Sequence, residues 1–258
     1  VMVSIPLAMA VLVTSTNSGM LGMGGGMILM GILLLFLPLE WAMVLHGCVQ
    51  LSSNGSRAVI HRRSVNWRFL PRYLLGAVLA YALFTYLAWA PSKGLAFVAL
   101  GCLPLVARFR GLGERLNING FATGTACGAV VLGAQVMAGA SGPALDVFFL
   151  GARLDRFSTI ATKAVTQTFS HLLKIAYFSS ILFGSILAVS RESIAAESMP
   201  FSPWLIPGLV AVAPVGSYLG RLVLDHLSDR RFLAMTRWVA SGIGVIWVLR
   251  GVHLLMVG

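Results

Sequence analysis

The sequence predicts an all-α polytopic membrane protein made of two inverted repeats, each of about five helical segments. Three observations carry that reading. Hydrophobic residues make up 58% of the 258-residue chain and charged residues only 10%, where an ordinary soluble domain carries about 25% charged residues. The apolar stretches fall into two sets of five. Polar residues within those stretches recur at a constant spacing of 117, as in Gly25 and Gly142, Gln50 and Gln167, Ser53 and Ser170. At the same spacing His46 meets Lys163, Asn54 meets His171 and Arg57 meets Lys174.

The first repeat, about 2–107, reads as segments 2–16, 27–38, 42–60, 72–90 and 93–107. The second, about 119–257, reads as 119–138, 143–152, 157–188, 203–222 and 232–256. Together they form a single transmembrane domain over 1–258. Segment 2–16 lacks a basic leading region and runs into a glycine-rich break, so it reads as a first helix and not as a signal peptide. Crossing a bilayer takes roughly 20 apolar residues, and 27–38 and 143–152 fall short of that. Each follows a helix-breaking run, Gly24-Gly25-Gly26 in one repeat and Gly139-Ala140-Ser141-Gly142-Pro143 in the other. Such short helices read as arms of hairpins that turn back near mid-membrane. Segments 42–60 and 157–188 carry the repeated polar residues. Past them the spacing grows to 132, where Pro71 meets Pro203 and Gly76 meets Gly208, and the extra residues fall in 189–202.

A formal charge of +11 invites a nucleic-acid reading, but its distribution argues for topology. Basic residues gather in the short loops 61–72, 108–117, 153–156 and 225–231, which marks those loops as cytoplasmic. Lys93, Arg191 and Arg250 fall on the other side, near Glu40, Glu192 and Glu197. With 61–72 inside, segment 42–60 runs inward; with 153–156 inside, segment 157–188 runs outward. The repeats are therefore expected to be inverted, as in many secondary transporters whose site lies where the repeats meet.

His46, Gln50, Asn54 and Arg57 cover an arc of about 80° on a helix, and Lys163, Gln167, His171 and Lys174 repeat it. Such stripes are expensive against lipid and are expected to face a protein interior or a water-filled cavity. Asp146 is the one carboxylate within an apolar segment, so the cavity is rich in cationic and amide donors and suits an anion. The helices that begin after the breaks at Gly24–Gly26 and Ser141–Gly142 would add free N–H groups and the positive end of a helix dipole. Pro143 at the first helical position loses no hydrogen bond.

Several of these residues also carry a plainer reading. Glycine runs can be packing sites, Arg57 can snorkel to the interface, and Asp146 can be a cap or salt-bridge partner. Met20, Met23, Met27, Phe148 and Phe149 read as packing. Cys48, Cys102 and Cys127 lack disulfide or metal-ligand spacing and read as small core residues. No HExxH, GxSxG or paired-aspartate signature appears, which argues against an enzyme.

Gly22-Met23-Gly24-Gly25-Gly26, Gln50-Leu51-Ser52-Ser53-Asn54 with Arg57, Gly142-Pro143 and the run from Thr162-Lys163 to Lys174 together resemble the sulfite exporter TauE/SafE family, over nearly the whole chain. The resemblance implies a multi-pass protein of the bacterial inner membrane that exports or imports sulfite, thiosulfate or an organosulfonate. It also implies that the Gln50/Asn54 and Gln167/His171 faces and the glycine breaks contact the substrate. The break at Ala140-Ser141-Gly142-Pro143 is poorer in glycine than the family's usual one.

The expectation is a secondary transporter for a small sulfur anion, working by alternating access. Lys163 and Lys174 would supply charge, and His46, Gln50, Asn54, Arg57, Ser141, Gln167 and His171 would orient oxygens. Asp146, His46 and His171 are candidates for proton coupling. No cofactor, metal or nucleic acid is implied, and a homodimer is compatible with the pattern. An anion channel for the same substrates is the nearest alternative. A transition-metal permease is more distant, because metal sites want clustered His, Cys or carboxylate.

Overall fold

In lipid a backbone must satisfy its own N–H and C=O groups, which favours helices, and the described residues contain ten α-helices and no strand. A computed structural model describes residues 4–21, 24–106, 116, 118–149, 152, 154–188, 201–202, 204–224 and 229–257. The helices are α1 (Ser4–Leu21), α2 (Gly25–Phe36), α3 (Leu39–Ile60), α4 (Leu70–Leu87), α5 (Lys93–Val106), α6 (Phe121–Ala138), α7 (Gly142–Phe149), α8 (Arg156–Ala188), α9 (Leu205–Leu224) and α10 (Asp229–Val257). A short 3-10 turn, Arg62–Ser64, follows α3.

Three helices, Leu70–Leu87, Phe121–Ala138 and Leu205–Val223, are long and apolar enough to cross a bilayer. Large apolar side chains stand exposed along the lipid-ready helices, among them Leu75, Val78, Leu79 and Leu83 on α4 and Val215, Leu219, Leu222 and Val223 on α9. A soluble protein rarely shows so much apolar surface.

The 12 residues of α2 rise only about 18 Å and the 8 of α7 only about 12 Å, against roughly 30 Å of hydrocarbon. Both are interior elements. Met27, Leu29, Met30, Leu33 and Leu34 of α2 are buried, as are Leu145, Phe148 and Phe149 of α7. The α7 helix starts at Gly142, one residue before the expected Pro143, and proline in the first turn still forfeits no helical bond.

Packing partners are exchanged between the halves of the chain. Helix α1 lies along α9, and α4 along α6. Glycines bring these axes close: a Cβ on Gly76 would strike the Thr125 carbonyl, and one on Gly220 the Thr16 carbonyl. Residue numbers rise together in both pairs, Arg72 bonding Asn119 while Phe84 meets Gly133, so each pair is parallel. By contrast, α5 and α10 are antiparallel, with Gly94 at Gly251 and Gly101 at Gly244. So are α3 and α8, where Gly47 meets Ile175, His61 meets Phe157 and the Asn66 N–H just past α3 donates to Thr162.

Of the four basic loops, 61–72 lies within the described residues, with Arg62, Arg63 and Arg68 exposed. Arg108, Arg110, Arg115 and Arg153 lie outside them, as do Arg191, Glu192, Glu197 and residues 225–228, together with Gly22 and Met23 of the first break. Asp155 precedes α8 and caps it, accepting from the Phe157 and Ser158 N–H groups and the Ser158 hydroxyl. Those donors hold its carboxyl below the usual carboxylate range.

Candidate functional site

Both helix breaks open onto one cavity. Gly24 takes φ 87° ahead of α2, and Gly139 takes φ 72° at the end of α6. Side-chain-bearing residues rarely adopt such conformations, so glycine makes both reversals cheap. Each reversal sends the next helix, α2 or α7, off with its N-terminus at the same interior point. The cavity holds about 310 Å³ of open space between Ser18, Gly24, Gly26, Met27, His46, Gln50, Arg57, Ala140, Ser141, Gly142, Gln167 and His171.

One chain of hydrogen bonds sets the wall contributed by α3. Arginine can only donate, so the Asn54 oxygen faces Arg57 Nη2 and accepts from it. The Asn54 amide nitrogen then points back along the helix to the Gln50 carbonyl at 2.9 Å and to Gln50 Oε1 at 3.2 Å. With its oxygen so engaged, Gln50 turns Nε2 to the cavity, where that nitrogen has no protein partner. Arg57 is held further by the Ser18 carbonyl at 2.8 Å. It is 3% exposed, and among the described residues no carboxylate pairs with it.

Gln135 Nε2 of α6 stands 3.3 Å from His171 Nε2 of α8. An amide nitrogen donates, so His171 Nε2 accepts and its proton sits on Nδ1 in this assignment. That Nδ1 is buried without a protein partner, as is Ser141 Oγ on the opposite wall. The lining polar groups are thus mainly donors: Gln50 Nε2, His171 Nδ1–H, the Ser141 hydroxyl, the Arg57 guanidinium and the first N–H groups of α2 and α7. Among the described residues no carboxylate lines the cavity. A buried donor left unpaired costs about 1–3 kcal/mol, so an acceptor-rich guest would settle several such costs together.

The sequence-predicted residues divide three ways. Gly24, Gly26, His46, Gln50, Arg57, Ser141, Gly142, Gln167 and His171 line the cavity. Gly25 lies just behind, packed so tightly that a Cβ would strike the Thr14 carbonyl of α1. Asn54, Lys163 and Lys174 stand off the wall. Asn54 orients Gln50 and Arg57. Lys163 is bound to Asp146 in an ion pair. Lys174 is fully buried behind His46, donating to its Nδ1 at 2.8 Å and to the Gly139 carbonyl at 2.7 Å. His46 in turn sets its Nε2 2.8 Å from the Gly26 carbonyl, and its ring meets that of His171 at 5.5 Å, edge to face. Met27, read from sequence as packing, is also a wall residue.

Two further residues belong to the site. Ser18 supplies wall and a carbonyl for Arg57, and Gln135 fixes the His171 tautomer. They stand 117 residues apart, which is the spacing of the other pairs and the signal that could have found them. Among the described residues no three His, Cys, Asp or Glu side chains gather as metal ligands would.

The family model described as sulfite exporter TauE/SafE matches residues 7–246. No curated protein and no solved structure gives a match.

Proposed function

The chain belongs to the sulfite exporter TauE/SafE family, and from that premise we propose that it is a secondary transporter for a small sulfur oxyanion or organosulfonate. One observation carries the substrate sign. Arg57 faces an interior cavity and, among the described residues, has no carboxylate partner, beside neutral donors that also lack one there. An anion supplies both the missing charge and the missing acceptors.

Alternating access is supported by the packing. In a fold with an in-plane two-fold, a helix that contacts its own repeat mate must run antiparallel to it. Contacts between non-equivalent helices must come in exchanged pairs. The α3/α8 and α5/α10 pairs are antiparallel, and α1/α9 and α4/α6 are exchanged and both parallel. On this reading the whole chain is a single domain in the bacterial inner membrane, with basic loops 61–72, 108–117, 153–156 and 225–231 cytoplasmic. The short helices α2 and α7 turn back at mid-membrane. Rocking of one repeat against the other would expose the cavity to each side in turn.

The test is flux of sulfite, thiosulfate and methanesulfonate into proteoliposomes. A transporter gives saturable flux that accumulates against a gradient; a channel of the same selectivity gives flux that does neither. Flux unchanged in both Gln50→Ala and Gln167→Ala would count against the site.

A further inference from the structure

Lys174 has a role that anion contact does not explain. It lies fully buried, beyond the reach of the cavity, with His46 between it and any guest. An ammonium carries three N–H donors and a neutral amine two. Two acceptors surround Nζ, the Gly139 carbonyl and His46 Nδ1. The surroundings therefore pair both N–H groups of the amine and leave one N–H of the ammonium unpaired, with no carboxylate among the described residues to balance the charge.

We infer that Lys174 and His46 form the proton-coupling site of this transporter, so that an anion entering the cavity draws a proton onto the Lys174 amine through the His46 ring. The inference rests on the oxyanion reading above. Among the described residues His46 is the one lining side chain bonded to Lys174. Its Nε2 must donate to the Gly26 carbonyl, which only accepts, and so Nδ1 is the acceptor for lysine. A second proton on the ring would set N–H against N–H, and the extra proton therefore resides on lysine.

Release balances simply. One Nζ–H bond breaks as an Nδ1–H bond forms, the Nε2 proton passes to cavity water, the electron pair stays on the lysine amine, and the ring regains its Nε2–H tautomer by exchange with cavity water. Uptake reverses these steps. The groups facing the pair do not supply a competing counter-charge. Helix α3 brings Cys48 and Arg57, α8 brings His171, α4 brings Tyr73 and Tyr81, and α6 brings Cys127 and Gln135. Asp146 on α7 is committed to Lys163. Helices α1 and α2 carry no ionisable side chain, and α9 carries Tyr218 and Arg221.

Calorimetric titration of the purified full chain with thiosulfate, whose charge is constant near neutral pH, tests the pair. Run in Bis-Tris and in Tris, which carry no oxyanion and differ in ionisation enthalpy, it counts protons taken up on binding. Wild type should take up about one proton per anion, and its affinity should tighten up to about tenfold for each unit of falling pH. Lys174→Met should bind with no uptake and a flat pH dependence. His46→Gln, whose amide can keep both bonds, should retain uptake at equilibrium, because lysine holds the proton. Heat that is the same in both buffers for wild type would overturn the coupling while leaving the anion site standing. Uptake that survives in Lys174→Met, or is lost in His46→Gln, would overturn the assignment to lysine. Failure of wild type to bind any oxyanion would remove the reading beneath it as well.

Discussion

The two polar stripes share a spacing but treat charge oppositely. On α3 the cation at the stripe's end, Arg57, lies on the cavity wall, tied to neutral oxygens of Ser18, Ser53 and Asn54. On α8 both cations are withdrawn, Lys163 into an ion pair with Asp146 and Lys174 behind His46. The reason sits elsewhere in the repeats. Asp146 stands 117 residues from Leu29, so among the described residues the α8 stripe has an acid paired to it where the α3 stripe has leucine at the matching spacing. Antiparallel packing of α3 on α8 then completes the pattern, since it brings Lys174 to His46 in place of its sequence counterpart Arg57. One shared spacing thus builds a charged wall and a neutral one.

The sharpest way to break this comparison is to remove the wall cation. Arg57→Gln should weaken binding of a sulfur oxyanion by about 1.5–3 kcal/mol, roughly 10- to 150-fold, by calorimetry. Next is the acid of the second repeat. Asp146→Asn strands Lys163 and should cost about 2 kcal/mol of stability, less than the 3–5 kcal/mol of a fully buried pair because the Asp146 side chain is 25% exposed. The double change Asp146→Asn/Lys163→Met should recover much of that loss in a thermal melt and leave anion affinity within a few-fold of wild type, since neither residue lines the cavity. If Lys163→Met instead weakens binding as much as Arg57→Gln, the contrast between the walls is wrong.

Smaller effects separate the neutral donors. Gln50→Ala and Gln167→Ala should each cost about 0.5–1.5 kcal/mol of binding, roughly 2- to 12-fold. Asn54→Asp should exceed either, because a carboxylate against Arg57 supplies the charge that the anion would otherwise bring. The smallest expected change is at the α8 cap. Asp155→Ala should lower stability by about 1 kcal/mol at neutral pH. Its carboxyl is held below its unfolded value, so the wild-type advantage should be full above that value and vanish as pH falls through the folded one. Melting curves of the two proteins should converge in acid.

Much of the site was legible in sequence because lipid makes polar residues conspicuous: a stripe of His46, Gln50, Asn54 and Arg57 in an apolar helix has few inexpensive explanations. The breaks were legible because glycine at Gly24 and Gly139 permits the positive φ that ends one helix and starts the next. What spacing could not convey was which polar groups satisfy one another. Asn54 reads as a ligand until Arg57 is seen to take its oxygen, and Lys163 reads as a cavity charge until Asp146 is found beside it. Gln135 lies on a helix otherwise apolar enough to cross a bilayer, and only its match to Ser18 at the repeat spacing marks it.

The central claim is that an oxyanion binds at the wall cation of the first repeat. Its most direct test is the thermal stability of purified wild type and Arg57→Gln against sulfite, thiosulfate, sulfate, methanesulfonate, phosphate and chloride. A bound ligand raises the melting temperature in a concentration-dependent way. The account predicts a rise in wild type with at least one sulfur oxyanion or sulfonate and its loss in Arg57→Gln. An equal rise in both proteins, or no rise in wild type with any of these anions, would contradict it.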